Sequence, residues 1–165
     1  MKAPRKNQED LDQDPGLLPH DRIPVRTATM DDLAAIVAID HKHTGKRRQE
    51  FYKRRLEEAL RESDVRISLV AEHDGRPAGF LLGRVYFGEF GVMQARAIVD
   101  AIGVNPDLAR HGVASALFGQ LEQNLRALHI EKIQTEVEWE QQDLIAFLVR
   151  RGFRPAEHLC LESKL

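Results

Sequence analysis

A single cysteine, Cys160, stands in 165 residues, so no internal disulfide and no thiolate metal cluster can be built. That suits a reducing compartment. No apolar run reaches membrane-spanning length, and the amino terminus lacks the apolar core of a signal peptide. The expectation is a cytoplasmic protein that does not engage a membrane. Excess charge of one sign is missing too. Lys and Arg number 24 against 26 Asp and Glu, a net charge of −2, so no broad positive field awaits nucleic acid. The one basic concentration runs from Lys42 to Arg48 and on through Lys53, Arg54 and Arg55. It alternates with Glu50, Glu57 and Glu58, which reads as a solvated helix face with i,i+4 pairs and argues against a nucleic-acid contact. The phosphate-loop pattern G-x-x-x-x-G-K-[ST] is absent, and no G-x-G-x-x-G follows an early strand. Nucleoside triphosphate hydrolysis and a dinucleotide fold are thereby set aside. His41 and His43 have no third ligand at metal-site spacing, so no metal is expected.

Up to about Asp21 the chain is polar, with Pro4, Pro15 and Pro19 and no periodicity, which reads as a flexible tail over 1–21 before one domain over 22–165. Ile23 to Thr27 alternates as a strand does. Thr29 caps a helix with Leu33, Ile36, Val37 and Ile39 on its apolar face, and a charged helix follows over roughly Arg47–Arg61. Val65–Glu72 and Pro77–Phe87 are strands flanking the turn signal Asp74-Gly75, and Gly88–Gly91 is a loop. Then come a strand over Ala95–Val104, a helix over Val113–Ala127, a strand over Lys132–Val137 and a helix over Gln142–Arg150 stopped by Gly152. Phe153–Glu162 returns as one or two strands. The order β-α-α-β-β-β-α-β-α-β predicts an α/β fold, a mixed and mostly antiparallel sheet flanked by helices.

The segment from Ile102 to Leu117 carries most of the functional information. An apolar strand stops at Asn105-Pro106, crosses a short basic loop and enters a helix through Gly112 and Ala114. The first N–H groups of a helix have no internal partner and sit at the positive end of its dipole. Small residues let a diphosphate approach them, and Arg110 and His111 add positive potential. The same residues also make a plain strand-turn-helix in which Gly112 eases close packing.

Three segments bear on the choice. Ala109-Arg110-His111-Gly112-Val113-Ala114 resembles motif A, Q/R-x-x-G-x-G/A, of the GNAT acyltransferases, with Ala109 at the leading Gln/Arg position. Ser68–Glu72, the Asp-Gly turn and Ala78-Gly79-Phe80 resemble a hairpin common in that family. Gln141 to Phe153 resembles its N-x-x-A-x-x-x-Y-x-x-x-G-F segment, with Gln141 at the Asn position and Leu144 at the Ala position. The element order from Ile23 onward is similar to the GNAT fold throughout.

The resemblance implies acetyl-CoA as co-substrate and a transferable acetyl group. It implies that the main chain of Ile102, Gly103 and Val104 holds the pantetheine arm as an added strand would. The diphosphate then falls to Ala109, Arg110, His111, Gly112, Val113, Ala114 and Ser115, with Gln141 among the CoA contacts. The N–H of Val104 is the expected oxyanion donor.

Proton carriers are harder to assign. An amine's pKa near 10 makes a positioned carboxylate useful. Asp100 interrupts an apolar strand two residues before Ile102, which places both on one face. It reads as a base facing a cleft, or alternatively as a structural ion pair. Glu138 and Glu140 lie at the end of the next strand, as acceptor-mouth carboxylates or as a solvated strand end. His41 and His43 follow the first helix, where acceptors enter in related enzymes, though loop histidines are usually incidental. The family often places a tyrosine at the position of Leu148 to protonate the CoA sulfur; here Tyr86 or Tyr52, or water, would serve, and both tyrosines also read as packing residues. Cys160 reads as a buried inert thiol. The expected activity is direct acetyl transfer from acetyl-CoA to an amine: a protein amino terminus, a lysine or a small amine. The alternative is a CoA-binding sensor or interaction module with little turnover. Either a monomer or a homodimer is compatible with the composition.

Overall fold

The computed structural model describes residues 23–61, 67–87, 95–156 and 161–164. The chain divides into two compact units, Met1–Thr135 and Glu136–Leu165. The first holds a five-stranded sheet: β1 (Val25–Thr27), β2 (Leu69–His73), β3 (Arg76–Tyr86), β4 (Arg96–Val104) and β5 (Lys132–Thr135), side by side in that order. The first three pairings are antiparallel, and β4 with β5 is parallel. Three helices accompany it: α1 (Leu33–Thr44), α2 (Gln49–Arg61) and α3 (Val113–Ala127). The second unit carries α4 (Gln142–Arg150).

Local signals account for most of these bounds. Asp74 and Gly75, with φ of 51° and 69°, make the tight turn between β2 and β3 that an Asp-Gly pair favours. Asp32 accepts from the Thr29 N–H at 2.8 Å and so caps the 3-10 turn that leads into α1. A left-handed Gly45 ends α1, and Gly152, with φ of 88°, follows α4. The expected return strand over Phe153–Glu162 is not borne out among the described residues. Neither 153–156 nor 161–164 is strand, and 157–160, with Cys160, lie outside the described residues. The tail over 1–21 and the Gly88–Gly91 loop lie outside them as well.

Each sheet face has its own apolar layer. Ile36 and Ile39 of α1 and Tyr52 and Leu56 of α2 are buried with Ala28, Val70, Phe80 and Leu82. Tyr52 meets Phe80 edge-to-face with centroids 5.6 Å apart. On the α3 layer, Leu117, Phe118, Leu121 and Leu125 are buried as their spacing predicts, with Val113 and Ala116 beside them, whereas Leu128, expected on the same stripe, is exposed. Gly79 lets α3 come close: a Cβ there would lie 2.7 Å from Val113 Cγ1 and 3.0 Å from the Gly103 carbonyl.

Two buried carboxylates, both missed by periodicity, hold the helical corner together. Asp32 takes both Arg26 guanidinium nitrogens, at 2.7 and 2.8 Å, while Arg26 Nε reaches Glu72 at 2.7 Å. Asp40, only 5% exposed, accepts from Arg48 and, at 2.9 Å, from the Tyr52 hydroxyl. Hydrogen bonding to Arg26 leads in holding Asp32 below the usual carboxylate range, against burial. For Asp40 burial pushes upward most strongly. Bonds from Arg48 and Tyr52, with the charges of Arg48 and His43, together outweigh it, and the carboxyl lies low. Burial leads in raising the Tyr52 phenol, so it stays a donor to Asp40 at neutral pH.

A carboxyl whose pKa falls on folding stabilises the fold above its unfolded value, near 3.8, and loses that contribution as pH drops through the folded value. The melting temperature is therefore expected to fall steeply below about pH 4. Asp40→Asn should cost about 2 kcal/mol at pH 7 and flatten that acid limb, as read by thermal melts followed by circular dichroism. An acid limb as steep in the variant as in the wild type would contradict the assignment.

Candidate active site

The ladder between β4 and β5 stops at Val99↔Thr135, where the Thr135 hydroxyl donates to the Val99 carbonyl at 3.0 Å. From Asp100 to Val104 the β4 edge facing that side has no strand partner among the described residues, while β3 stays paired on the other. Asn105 donates to the Ala78 carbonyl at 2.8 Å, which sets the phase of the β3–β4 ladder. By alternation Gly103 faces β3, whereas the N–H and C=O of Ile102 and Val104 face the open edge. One of these groups is already engaged: His43 donates through Nε2 to the Val104 carbonyl at 2.6 Å.

Past the strand, Pro106–Leu108 make one 3-10 turn, with the Asn105 side chain accepting from the Asp107 N–H. Lys42 ties α1 to this turn, 2.9 Å from Asn105 Oδ1 and 2.6 Å from Asp107 Oδ2. The chain then passes through two left-handed residues, Arg110 (φ 65°) and Gly112 (φ 81°), on either side of His111. His111 folds back through Nδ1 onto the Ala109 carbonyl at 2.9 Å. The first bond of α3 runs from the Ala116 N–H to the Gly112 carbonyl, so the N–H groups of Val113, Ala114 and Ser115 have no acceptor within the helix. Gly112 caps the helix by backbone alone, with no side chain over those donors. Alternating left-handed geometry at a helix start is a concave anion site, and a diphosphate fits it.

Asp100 is where the sequence reading is corrected. The register passes from Leu82↔Ala101 to Gly83↔Val99, leaving Asp100 as the extra residue of a β-bulge. Val104 pairs with Gly79, which faces α3, so Ile102 shares the α3 side. Strict alternation would put Asp100 there too. Instead it lines a cavity on the α2 side with Arg55, Glu58, Ala59, Leu82 and Arg84. It is also ion-paired with Arg84, so cleft and partner, weighed as alternatives, occur together.

Other expected residues fall elsewhere. Tyr86 pairs with Arg96, whose guanidinium lies 4.6 Å over its ring. Six residues of β4, about 20 Å at strand rise, separate Arg96 from Ile102, so Tyr86 is not brought to the open edge. Glu138, Glu140 and Gln141 belong to the second unit and are exposed; the Gln141 N–H donates to the Glu138 carbonyl at 3.0 Å. Leu148 is buried and brings no proton to any site. His41 does not reach the donor edge through any hydrogen bond among the described residues, while His43 does.

An open strand edge running into an anion-ready helix start suits an extended ligand that ends in a diphosphate. Among acyl donors that description fits an acyl-CoA, so the class is an acyl-CoA-dependent transferase. Residues 31–153, more than half of the chain, match the acetyltransferase (GNAT) family, and the protein belongs to that family. It is an N-acetyltransferase with acetyl-CoA as co-substrate. Solved structures share its fold. An aminoglycoside N-acetyltransferase in complex with CoA is similar with a TM-score of 0.71 and 16% identity, over 87% of this chain and 95% of that one. An aminoglycoside 6'-N-acetyltransferase from Acinetobacter haemolyticus gives 0.69 and 17%, over 86% and 98%. Ard1 from Thermoplasma volcanium gives 0.66 and 20%, over 80% and 82%. Among the described residues no helix is long and apolar enough to cross a membrane.

Gly112→Val puts a β-branched residue at φ 81°, at a cost of about 1–2 kcal/mol, and crowds the donors of α3. The KM for acetyl-CoA should rise at least about tenfold, as measured by steady-state kinetics. An unchanged KM in a folded variant would remove this loop from the donor site.

Proposed function

We propose that this enzyme acetylates an amine that enters the cavity between α2 and the β3–β4 pair, with Asp100 as the base. The observation that carries this reading is the position of Asp100. It is the first residue past the β4–β5 ladder, and the bulge turns its carboxylate into that cavity. The donor edge and the acceptor cavity thus adjoin at one residue.

The residues divide the work between them. Val113, Ala114 and Ser115 offer their N–H groups to the diphosphate, with Arg110 and His111 adding positive charge. Ile102 and Val104 hold the pantetheine arm by main chain. The His43 side chain gives up or shares the Val104 carbonyl when the arm is bound. The Val104 N–H stabilises negative charge developing on the thioester oxygen. Asp100 takes one proton of the ammonium, the amine nitrogen forms the C–N bond and gives up its second proton to solvent, and the C–S bond breaks with its electron pair on sulfur. Asp100 then passes the proton to solvent, and the thiolate takes one from water. With a thiol pKa near 8.5 the thiolate is a competent leaving group without a phenol, consistent with Leu148 at the family's tyrosine position.

Asp100→Asn is expected to lower kcat about 100- to 10,000-fold across an amine panel, with the acetyl-CoA KM within about threefold of wild type. A kcat within threefold of wild type would assign the proton to another group.

A further inference from the structure

The α2-side cavity has an unusual charge set for a site that receives a cation. Its walls bring two guanidiniums, Arg55 and Arg84, and two carboxylates, Glu58 and Asp100, around an apolar floor of Leu82 and Val85. Arg84 is committed to Asp100. Arg55 is not committed in the same way. Its one anionic neighbour among the described residues is Glu58, with Oε2 at 3.5 Å from one terminal nitrogen, a distance at the limit of a hydrogen bond. Its Nε is shut off from solvent and has no hydrogen-bond partner. The Phe51 ring, 5.6 Å away, holds the guanidinium in place without satisfying any N–H. A desolvated charged donor left unpaired is costly, and a planar fork of donors fits a carboxylate better than any other common group. The side chain is about one-third exposed, so the head group is within reach of a ligand.

We infer that the acceptor is a zwitterion, an amine that also bears a carboxylate, received by Arg55 while Asp100 takes the ammonium. This inference rests on the reading of the cavity as the acceptor site. Glu58 adds a second negative charge on the ammonium side, and Leu82 and Val85 take an apolar side chain between the two charged ends. A polycation would meet two guanidiniums in the same space. The likeness to aminoglycoside acetyltransferases is accordingly one of fold, and the acceptor here is of opposite character.

The test is release of CoA from acetyl-CoA with matched acceptors: leucine, leucinamide, isoamylamine and an aminoglycoside, using wild type, Arg55→Gln and Arg55→Lys. The leucinamide amine loses its proton more easily, so intrinsic reactivity works against the expected order. Wild type should favour leucine over leucinamide by at least about tenfold in kcat/KM, the scale of one charge-assisted contact. Arg55→Gln should bring that ratio close to one, and Arg55→Lys should leave it in between. Retention of the rise in Tm on CoA binding reports a folded variant. An equal or better rate with leucinamide, isoamylamine or the aminoglycoside overturns the zwitterion and leaves the acceptor cavity standing. A normal leucine preference in Arg55→Gln overturns the role of Arg55. No turnover with any acceptor overturns the inference together with the reading of the cavity beneath it.

Discussion

The parallel ladder between β4 and β5 ends at Val99, sealed by the Thr135 hydroxyl, while β4 runs on to Val104 with no strand on that edge among the described residues, only His43 on the Val104 carbonyl. Backbone N–H and C=O groups left without partners invite an added strand, and most proteins cover or charge such edges. Here the open stretch leads directly into the left-handed turn at Arg110–Gly112 and the free donors of α3. That order is what the proposed binding mode uses, an extended arm along β4 and a diphosphate at the helix start. Gly79 keeps the two parts in register by letting Val113 approach β3 closely.

The opposite side of the sheet depends on a polar corner as much as on apolar packing. Asp40, Arg48 and Tyr52 join the end of α1 to the start of α2, and Arg48 lies 5.5 Å over both the Phe51 and Tyr52 rings. The same turn of α1 carries Lys42 and His43, which bind the loop after β4 and the Val104 carbonyl. The helical layer is thereby fastened to the end of β4 and the turn that follows it. Arg55 and Glu58 follow on α2, where they become cavity wall.

Much of this was legible in the residues. The bounds of α3 and α4 follow from the Gly112 start, the apolar stripe from Val113 to Leu125 and the Gly152 stop, and the Asp74-Gly75 hairpin follows from turn chemistry. What escaped is tertiary. A bulge at Asp100 leaves no mark in an apolar run, so period-2 counting assigned it to the wrong side of the sheet. Asp40 carries no local sign of its role, because its partners stand 8 and 12 residues away, beyond the end of α1. His41 and His43, expected after the first helix, lie in its last turns, and nothing local distinguishes the one that reaches the Val104 carbonyl. Tyr86 was legible as a phenol but not as one set at the far end of β3. Leu148, by contrast, was legible at once as a missing hydroxyl.

Amide hydrogen exchange with and without acetyl-CoA, resolved to single residues, tests the donor geometry most directly. The N–H groups of Ile102 and Val104 and those of Val113, Ala114 and Ser115 should exchange fast in the free protein and become protected together on binding, while Gly103, bonded to β3, changes little. Protection confined to other parts of the chain, with these five amides unchanged under saturating acetyl-CoA, would contradict the account.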